Sequence, residues 1–409
     1  MTYSNTNMSP RPNHVRFLRL LGPVLILAIY ATLVIVANGL RFEIRKDERF
    51  FWPVVQQFAA QFPPPLALIC DYDSPTTPLL FLFLGSVEHL TGGGIILARL
   101  ICLNLSLAIS LTIAWPRPDS TVRPALAALG LMLCPYFLGA SIHVYTDILA
   151  SFLGCMGILA FTRSRHVLAA LCFALAISTR QYMVAFPLAI CAPLFFPTHN
   201  KSIHASRSLN STLPYILSAA SLLFWFALFG GTAPRTSGRT HLSTDAAGAL
   251  HPEHALYFLS CIGAYFAIPD LIIFRNVTGW RTASRISSLL VGILVIIAFA
   301  LWPPLGNDPN AGVESMGYLD KSLRWFLSDR PRIIVLALLA WLCLSHILQH
   351  PLALALVLLQ AATLLKSHIA WDKYALPVLV ALWLLQAEDY DGRTTSGRSA
   401  TTQSDIIMA

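Results

Sequence analysis

The chain has 409 residues, of which 56% are hydrophobic and only 12% charged, and its mean hydropathy is +0.64. Average soluble chains carry roughly 25% charged residues, so this composition excludes a soluble globular domain, which has nowhere to hide that much apolar surface. The net charge of +8 comes mostly from Lys and Arg in connectors between apolar runs, which excludes a nucleic-acid-binding face and reads as membrane topology.

The sequence therefore predicts an all-α, polytopic transmembrane helical bundle. Runs of ~20 apolar residues cross ~30 Å of hydrocarbon, and with tolerance for short or tilted helices about twelve spans are expected. They lie near residues 18–40, 94–114, 124–140, 145–162, 166–179, 182–197, 213–231, 255–274, 286–303, 331–349, 351–366 and 373–387. The first run follows a basic start, Arg11 to Arg19, and lacks a small-residue cleavage site before Arg41, so it reads as an uncleaved anchor. Residues 1–17 and 388–409 are expected to be cytoplasmic tails flanking a membrane-embedded domain, 18–387.

Orientation follows from the connectors. Residues 116–123, 162–166, 197–212 and 275–285 each hold at least two Lys or Arg, whereas 141–144 and 180–181 hold one between them. That asymmetry places the first set inside. The pattern requires the segment 77–90, with Glu88 and His89, to be a re-entrant or interfacial helix rather than a crossing. Three long connectors, 41–93, 230–254 and 304–330, then share the outer side, and long loops in a compact bundle tend to carry function. Six of the eight cysteines (Cys102, Cys134, Cys155, Cys172, Cys191 and Cys343) sit in apolar runs without CxxC spacing and read as small buried hydrophobes.

Charged and polar motifs are few enough to examine singly. Arg45-Lys46-Asp47-Glu48-Arg49 opens the first outer loop. Its carboxylates either supply a general base kept ionised by flanking cations, or form a solvated cluster that ends a helix. Asp71-Tyr72-Asp73-Ser74-Pro75-Thr76-Thr77-Pro78 either binds sugar hydroxyls or caps the next helix. Ser141-Ile142-His143-Val144-Tyr145-Thr146-Asp147 joins two spans on the same side, with Asp147 as ligand or N-cap. Arg180-Gln181 interrupts an apolar stretch, where a guanidinium needs an anionic partner, either a phosphate or a carboxylate such as Asp147. His368-Ile369-Ala370-Trp371-Asp372-Lys373 leads into the last run, as an interfacial belt or with Lys373 as a phosphate contact. There is no Walker loop, zinc spacing or H-E-x-x-H.

Taken in order, these motifs resemble the C-type glycosyltransferase superfamily of integral membrane enzymes that use lipid-phosphate sugars. Within it, the chain resembles most the dolichyl-phosphate-glucose alpha-1,2-glucosyltransferase family, which adds the last glucose to the N-glycan precursor. The family's Asp-Glu pair, aromatics and Gln are matched by Asp47-Glu48-Arg49-Phe50-Phe51-Trp52 and Gln56, and its Thr-Thr-Pro segment by Asp73 to Pro78. Arg99 and Asn104, Tyr145-Thr146-Asp147 and Arg180-Gln181 match further steps, with fainter matches at His241, Leu256-Tyr257-Phe258-Leu259, Lys373-Tyr374 and Pro377. Met183 stands where the family has an Asn.

The resemblance implies an inverting transfer of a hexose, glucose in that family, from a polyprenyl- or dolichyl-phosphate donor to a glycan or lipid-linked saccharide acceptor. Asp47 would be the catalytic base and Glu48 its near alternative. Arg180 and Lys373 would meet the donor phosphate, with Asp73, Thr76, Thr77, His143, Tyr145, Asp147 and Gln181 on the sugar or acceptor. No cofactor or metal is expected, since the acidic positions lack the clustering of a dedicated cation site. Membrane lipid is an expected partner and nucleic acid is not. Short loops point to a bacterial inner membrane, the endoplasmic reticulum being the alternative. Two other function classes fit the same residues: a secondary transporter or lipid flippase, with polar groups along a substrate path, and a non-catalytic assembly partner.

Overall fold

A computed structural model describes residues 12–45, 47–115, 122–195, 209–237, 249–274, 284–305, 316–367 and 369–388. Lys46, His241, His368, most of both tails and parts of the second and third long loops lie outside the described residues. Among the described residues the regular structure is helical; an isolated parallel bridge, Met316 to Ala370, is the exception.

The helices follow the apolar runs. They are α1 (Pro12–Val36), α2 (Glu48–Ala60), α3 (Leu66–Cys70), α4 (Leu79–Thr91), α5 (Gly94–Ala114), α6 (Arg123–Met132), α7 (Pro135–Ser141), α8 (Thr146–Thr162) and α9 (His166–Ile177). They continue through α10 (Ala185–Phe195), α11 (Leu209–Phe229), α12 (Pro252–Ile273), α13 (Arg285–Leu301), α14 (Tyr318–Arg324), α15 (Asp329–Ile347), α16 (Pro351–Leu364) and α17 (Leu376–Ala387). Helix α12 contains a π turn at Gly263–Ala267, where Gly263 meets the Leu339 carbonyl of α15 so closely that a Cβ would collide with it.

Four helices, α5, α11, α12 and α15, are long and apolar enough to cross a membrane. A fifth crossing is made if α6 and α7, bent by 79° around Leu133 and Cys134, count as one. Pro135 stands at the bend, where its ring and missing N–H interrupt the helix. The segment expected as a straight span over 124–140 is thus a broken one. The other apolar helices run 10–17 residues, with α1 counted from Leu21, so twelve crossings would require these shorter elements to tilt, pair or thin the bilayer.

The core centres on α17. Each of its residues from Leu376 to Ala387 is buried, the signature of a helix apolar all round and enclosed by others. It packs on α6 and α8, and α8 packs on α9. The peripheral helices turn apolar side chains outward instead: Ile286, Leu289, Leu290 and Leu294 on α13, Val24 and Ile35 on α1, Leu223 and Phe224 on α11 are exposed. Exposed apolar surface on this scale is that of a chain embedded in a membrane.

Candidate active site at the helix starts

The starts of α2, α8 and α17 meet at one end of the bundle. Asp47 is the N-terminal flanking residue of α2, its carbonyl accepting from the Phe50 and Phe51 amides at 2.9 and 3.0 Å. Its carboxylate pairs with the Lys373 ammonium, which comes from the short turn Asp372–Ala375 before α17. The ammonium also lies 4.1 Å from the centre of the Trp371 ring and 5.5 Å from that of Tyr145. These distances are within cation–π range, which favours a charged amine in a mostly apolar wall.

Asp47, Tyr145 and Lys373 open on a cavity of about 440 Å³. Among the described residues its charged lining is one carboxylate, Asp47, against three cations, Arg49, Lys321 and Lys373. Phe50, Tyr136, Tyr318 and Trp371 complete the aromatic wall, with the Tyr136 and Tyr318 ring centres 4.8 Å apart. A site that is net positive and ringed by aromatics suits an anionic ligand carrying a sugar-like or hydrocarbon body.

A second carboxylate braces the wall. Asp372 is buried and accepts hydrogen bonds from the Tyr257 and Tyr265 hydroxyls, both at 2.6 Å, and from the Leu319 amide at 3.0 Å. Burial pushes its carboxyl above the ordinary range, against the pull of those donors. Gly317 lies against Asp372 with no room for a Cβ. Asp320 donates its amide to the Tyr257 hydroxyl at 3.1 Å, and its carboxylate takes Arg324 at 2.7 Å and Arg332 at 3.1 Å. Residues 316–320 of the third long connector are thereby stitched to the start of the last helix.

Glu48 takes a different place from that expected of an alternative base. It is fully buried, and its oxygens accept from Arg99 Nε at 2.9 Å, Arg99 Nη2 at 2.7 Å and the Val144 amide at 2.8 Å. His143 Nδ1 lies 3.2 Å away. Arg99 also donates to the carbonyls of Leu40, Phe42 and Glu43. Burial alone would raise the Glu48 carboxyl, but the bonds from Arg99, His143 and Val144 outweigh it and hold it down at about 2. A carboxylate so enclosed has neither the exposure nor the basicity to take a proton from a substrate. Glu48 and His143 form a latch that ties the first long connector to α5 and α8.

Asp147 and Arg180 pair with each other, at 2.7 Å, and Tyr182 donates to Asp147 at 2.6 Å. The Arg180 guanidinium is 5.8 Å from the centre of the Tyr374 ring, the residue after Lys373, so this pair stands beside the cavity without lining it. Of the two partners the sequence allowed for Arg180, the carboxylate is present. Gln181 donates to the Pro75 carbonyl at 2.9 Å, and Thr77 to that of Ile177 at 2.7 Å. The Thr76 hydroxyl lies 3.1 Å from that of Ser74, and the Thr76 carbonyl accepts from Tyr72. These residues dock the 71–78 segment onto the α9–α10 turn. Asp73 is exposed in that segment and outside the cavity.

Sequence reasoning passed over Tyr136, Tyr318 and Lys321. Tyr136 follows the proline of the α6–α7 break, and the break itself was the available signal; Tyr318 and Lys321 carry none beyond their place in a long connector. Comparison with protein-family models, curated proteins and solved structures finds no match to this chain.

Proposed function

We propose that the chain is a membrane glycosyltransferase that moves a hexose from a polyprenyl-phosphate donor to a lipid-linked or cell-envelope glycan, with inversion. One observation carries this reading: a cavity lined, among the described residues, by one carboxylate, three cations and an aromatic wall, at the meeting point of helix starts in an apolar bundle. An Asp47 oxygen would take the proton of the acceptor hydroxyl as the hydroxyl oxygen attacks the anomeric carbon. The bond from that carbon to the phosphate oxygen breaks on the opposite side, and the electron pair leaves with the lipid phosphate. Lys373, with Arg49 and Lys321, would stabilise the charge that develops on the leaving phosphate. Lys373 would also hold the Asp47 carboxylate in place until the acceptor arrives.

In this reading the shorter apolar helices complete about twelve crossings, the three long connectors lie outside the membrane, and the donor lipid runs along the exposed apolar flank of the bundle. The membrane is a bacterial inner membrane. Mass spectrometry of lipid-linked saccharides from cells with the chain, without it, and with Asp47→Asn tests the proposal. One hexose should be missing from a single glycan in the latter two. Identical saccharide profiles in all three would overturn it.

A transporter or flippase draws support from a different pair. Asp270 and His346, both buried, meet at 2.8 Å between α12 and α15, beyond the π turn from the cavity. Buried ionisable pairs between apolar helices can serve a substrate or proton path. Proteoliposomes separate the two: vectorial movement of a labelled lipid-linked sugar without covalent transfer would favour this second reading.

A further inference from the structure

The first turn of α12 carries a cluster of ligating side chains outside the cavity. His251 flanks the helix start, Pro252 occupies its first position, and Glu253 and His254 follow. One nitrogen from each imidazole and one carboxylate oxygen lie within 4.8 Å of one another. The two imidazole rings stack, with centres 4.9 Å apart and planes 16° from parallel.

The surroundings orient the ligands. His254 is buried, and its Nδ1 lies 2.7 Å from the Ser367 carbonyl. A carbonyl can only accept, so Nδ1 carries the proton in that bond. This is the outer-shell arrangement that holds metal-binding histidines in register. The His251 amide donates to the Leu365 carbonyl at 2.8 Å, fixing the same turn from its other side. His251 Nδ1 faces a Glu253 oxygen at 3.0 Å, while its Nε2 is shielded from solvent with no hydrogen bond.

We propose that His251, Glu253 and His254 bind a divalent transition-metal ion of the zinc type. Two imidazoles and a carboxylate form a nitrogen-rich donor set that suits Zn²⁺ and its neighbours, whereas Mg²⁺ and Ca²⁺ want oxygen. Three protein ligands leave a position for water or a substrate oxygen. The positive end of the α12 dipole opposes a cation there, and the Glu253 charge offsets it. The sequence showed no such site because His-Pro-Glu-His matches no familiar metal spacing. The site lies one helical turn before Tyr257, whose hydroxyl binds Asp372, so an ion would steady the α12 side of the cavity wall.

The test uses the full chain in detergent, with any affinity tag removed, stripped by chelator and titrated with Zn²⁺ or Co²⁺. One equivalent of Zn²⁺ per chain by elemental analysis, and visible d–d bands with Co²⁺, are expected. His254→Ala and the isosteric Glu253→Gln should weaken binding by more than about tenfold, the lower end of what losing even an outer-shell partner costs. His350→Ala, at the far end of α16, should bind as the unaltered chain does. Thermal unfolding of Glu253→Gln without metal, matching the stripped parent, shows that its fold is intact. No stoichiometric Zn²⁺ in the parent, or unchanged binding in both ligand variants, would overturn the site.

Discussion

Asp47 and Glu48 are neighbours in the chain and opposites in the structure. Glu48, the first residue of α2, points inward to a guanidinium, a backbone amide and an imidazole and is sealed. Asp47, one position earlier, points to the cavity, and its side chain keeps 14% of its exposure. Successive residues at a helix start project about 100° apart, as 3.6 residues per turn requires. Two adjacent carboxylates can therefore meet different surroundings, one holding the connector in place and the other facing a cavity. The difference teaches that a buried charge pair and a cavity-facing one have different costs and uses. The first is costly to break because its partner would be stranded. The second is available for exchange because a ligand can take the partner's place.

Four measurements would break or sharpen that contrast. Asp47→Asn keeps the shape and removes the carboxylate proposed as base; sugar transfer should fall about a hundred- to ten-thousand-fold, the span of general-base catalysis, with the unfolding temperature little changed. Equal transfer by variant and parent would remove Asp47 from the chemistry. Arg99→Ala should instead act on the fold, since stranding a buried Glu48 costs about 3–5 kcal/mol; thermal unfolding and size-exclusion profiles in detergent report it. Gly317→Ala drives a methyl group into the Asp372 carboxylate and backbone. About 1–3 kcal/mol of stability should be lost, as for other overpacked sites, together with ligand affinity at the adjoining cavity.

The smallest effect concerns pH. The folded-state carboxyl of Glu48 lies at about 2 against an ordinary 4.5. Its contribution to stability is complete above the ordinary value and is lost as pH falls from 4.5 toward 2. The gap in unfolding temperature between the parent chain and Glu48→Gln should narrow over that window. Parallel curves would mean that the latch does not depend on the charge of Glu48.

Much of the fold was legible because lipid and water sort residues coarsely. The apolar run 94–114 is helix α5 from end to end, and 286–303 differs from α13 by a residue or two. The break at Pro135 was less legible, because a proline inside an apolar run either kinks a span or divides it, and only neighbouring helices decide. The number of crossings depends on tilt and pairing, which hydropathy does not encode. At the candidate site, Asp47 and Lys373 stood out because charges are scarce in this chain. The role of Glu48 did not, since its partner Arg99 lies 51 positions away and nothing local distinguishes a latch from a base. Tyr136 and Tyr318 were hidden by the commonness of aromatics near membrane interfaces.

The charge pair at the cavity joins positions 326 residues apart. Lys373 is delivered by the turn that leads into the enclosed helix α17, so the pair can form only once that last helix has been made. Until it arrives, the cavity lacks Lys373 and Trp371 from its lining. Completion of the bundle and completion of the pocket are thus one event in the life of the chain, and a nascent protein arrested before position 373 would present lipid with an unfilled groove instead of a binding site.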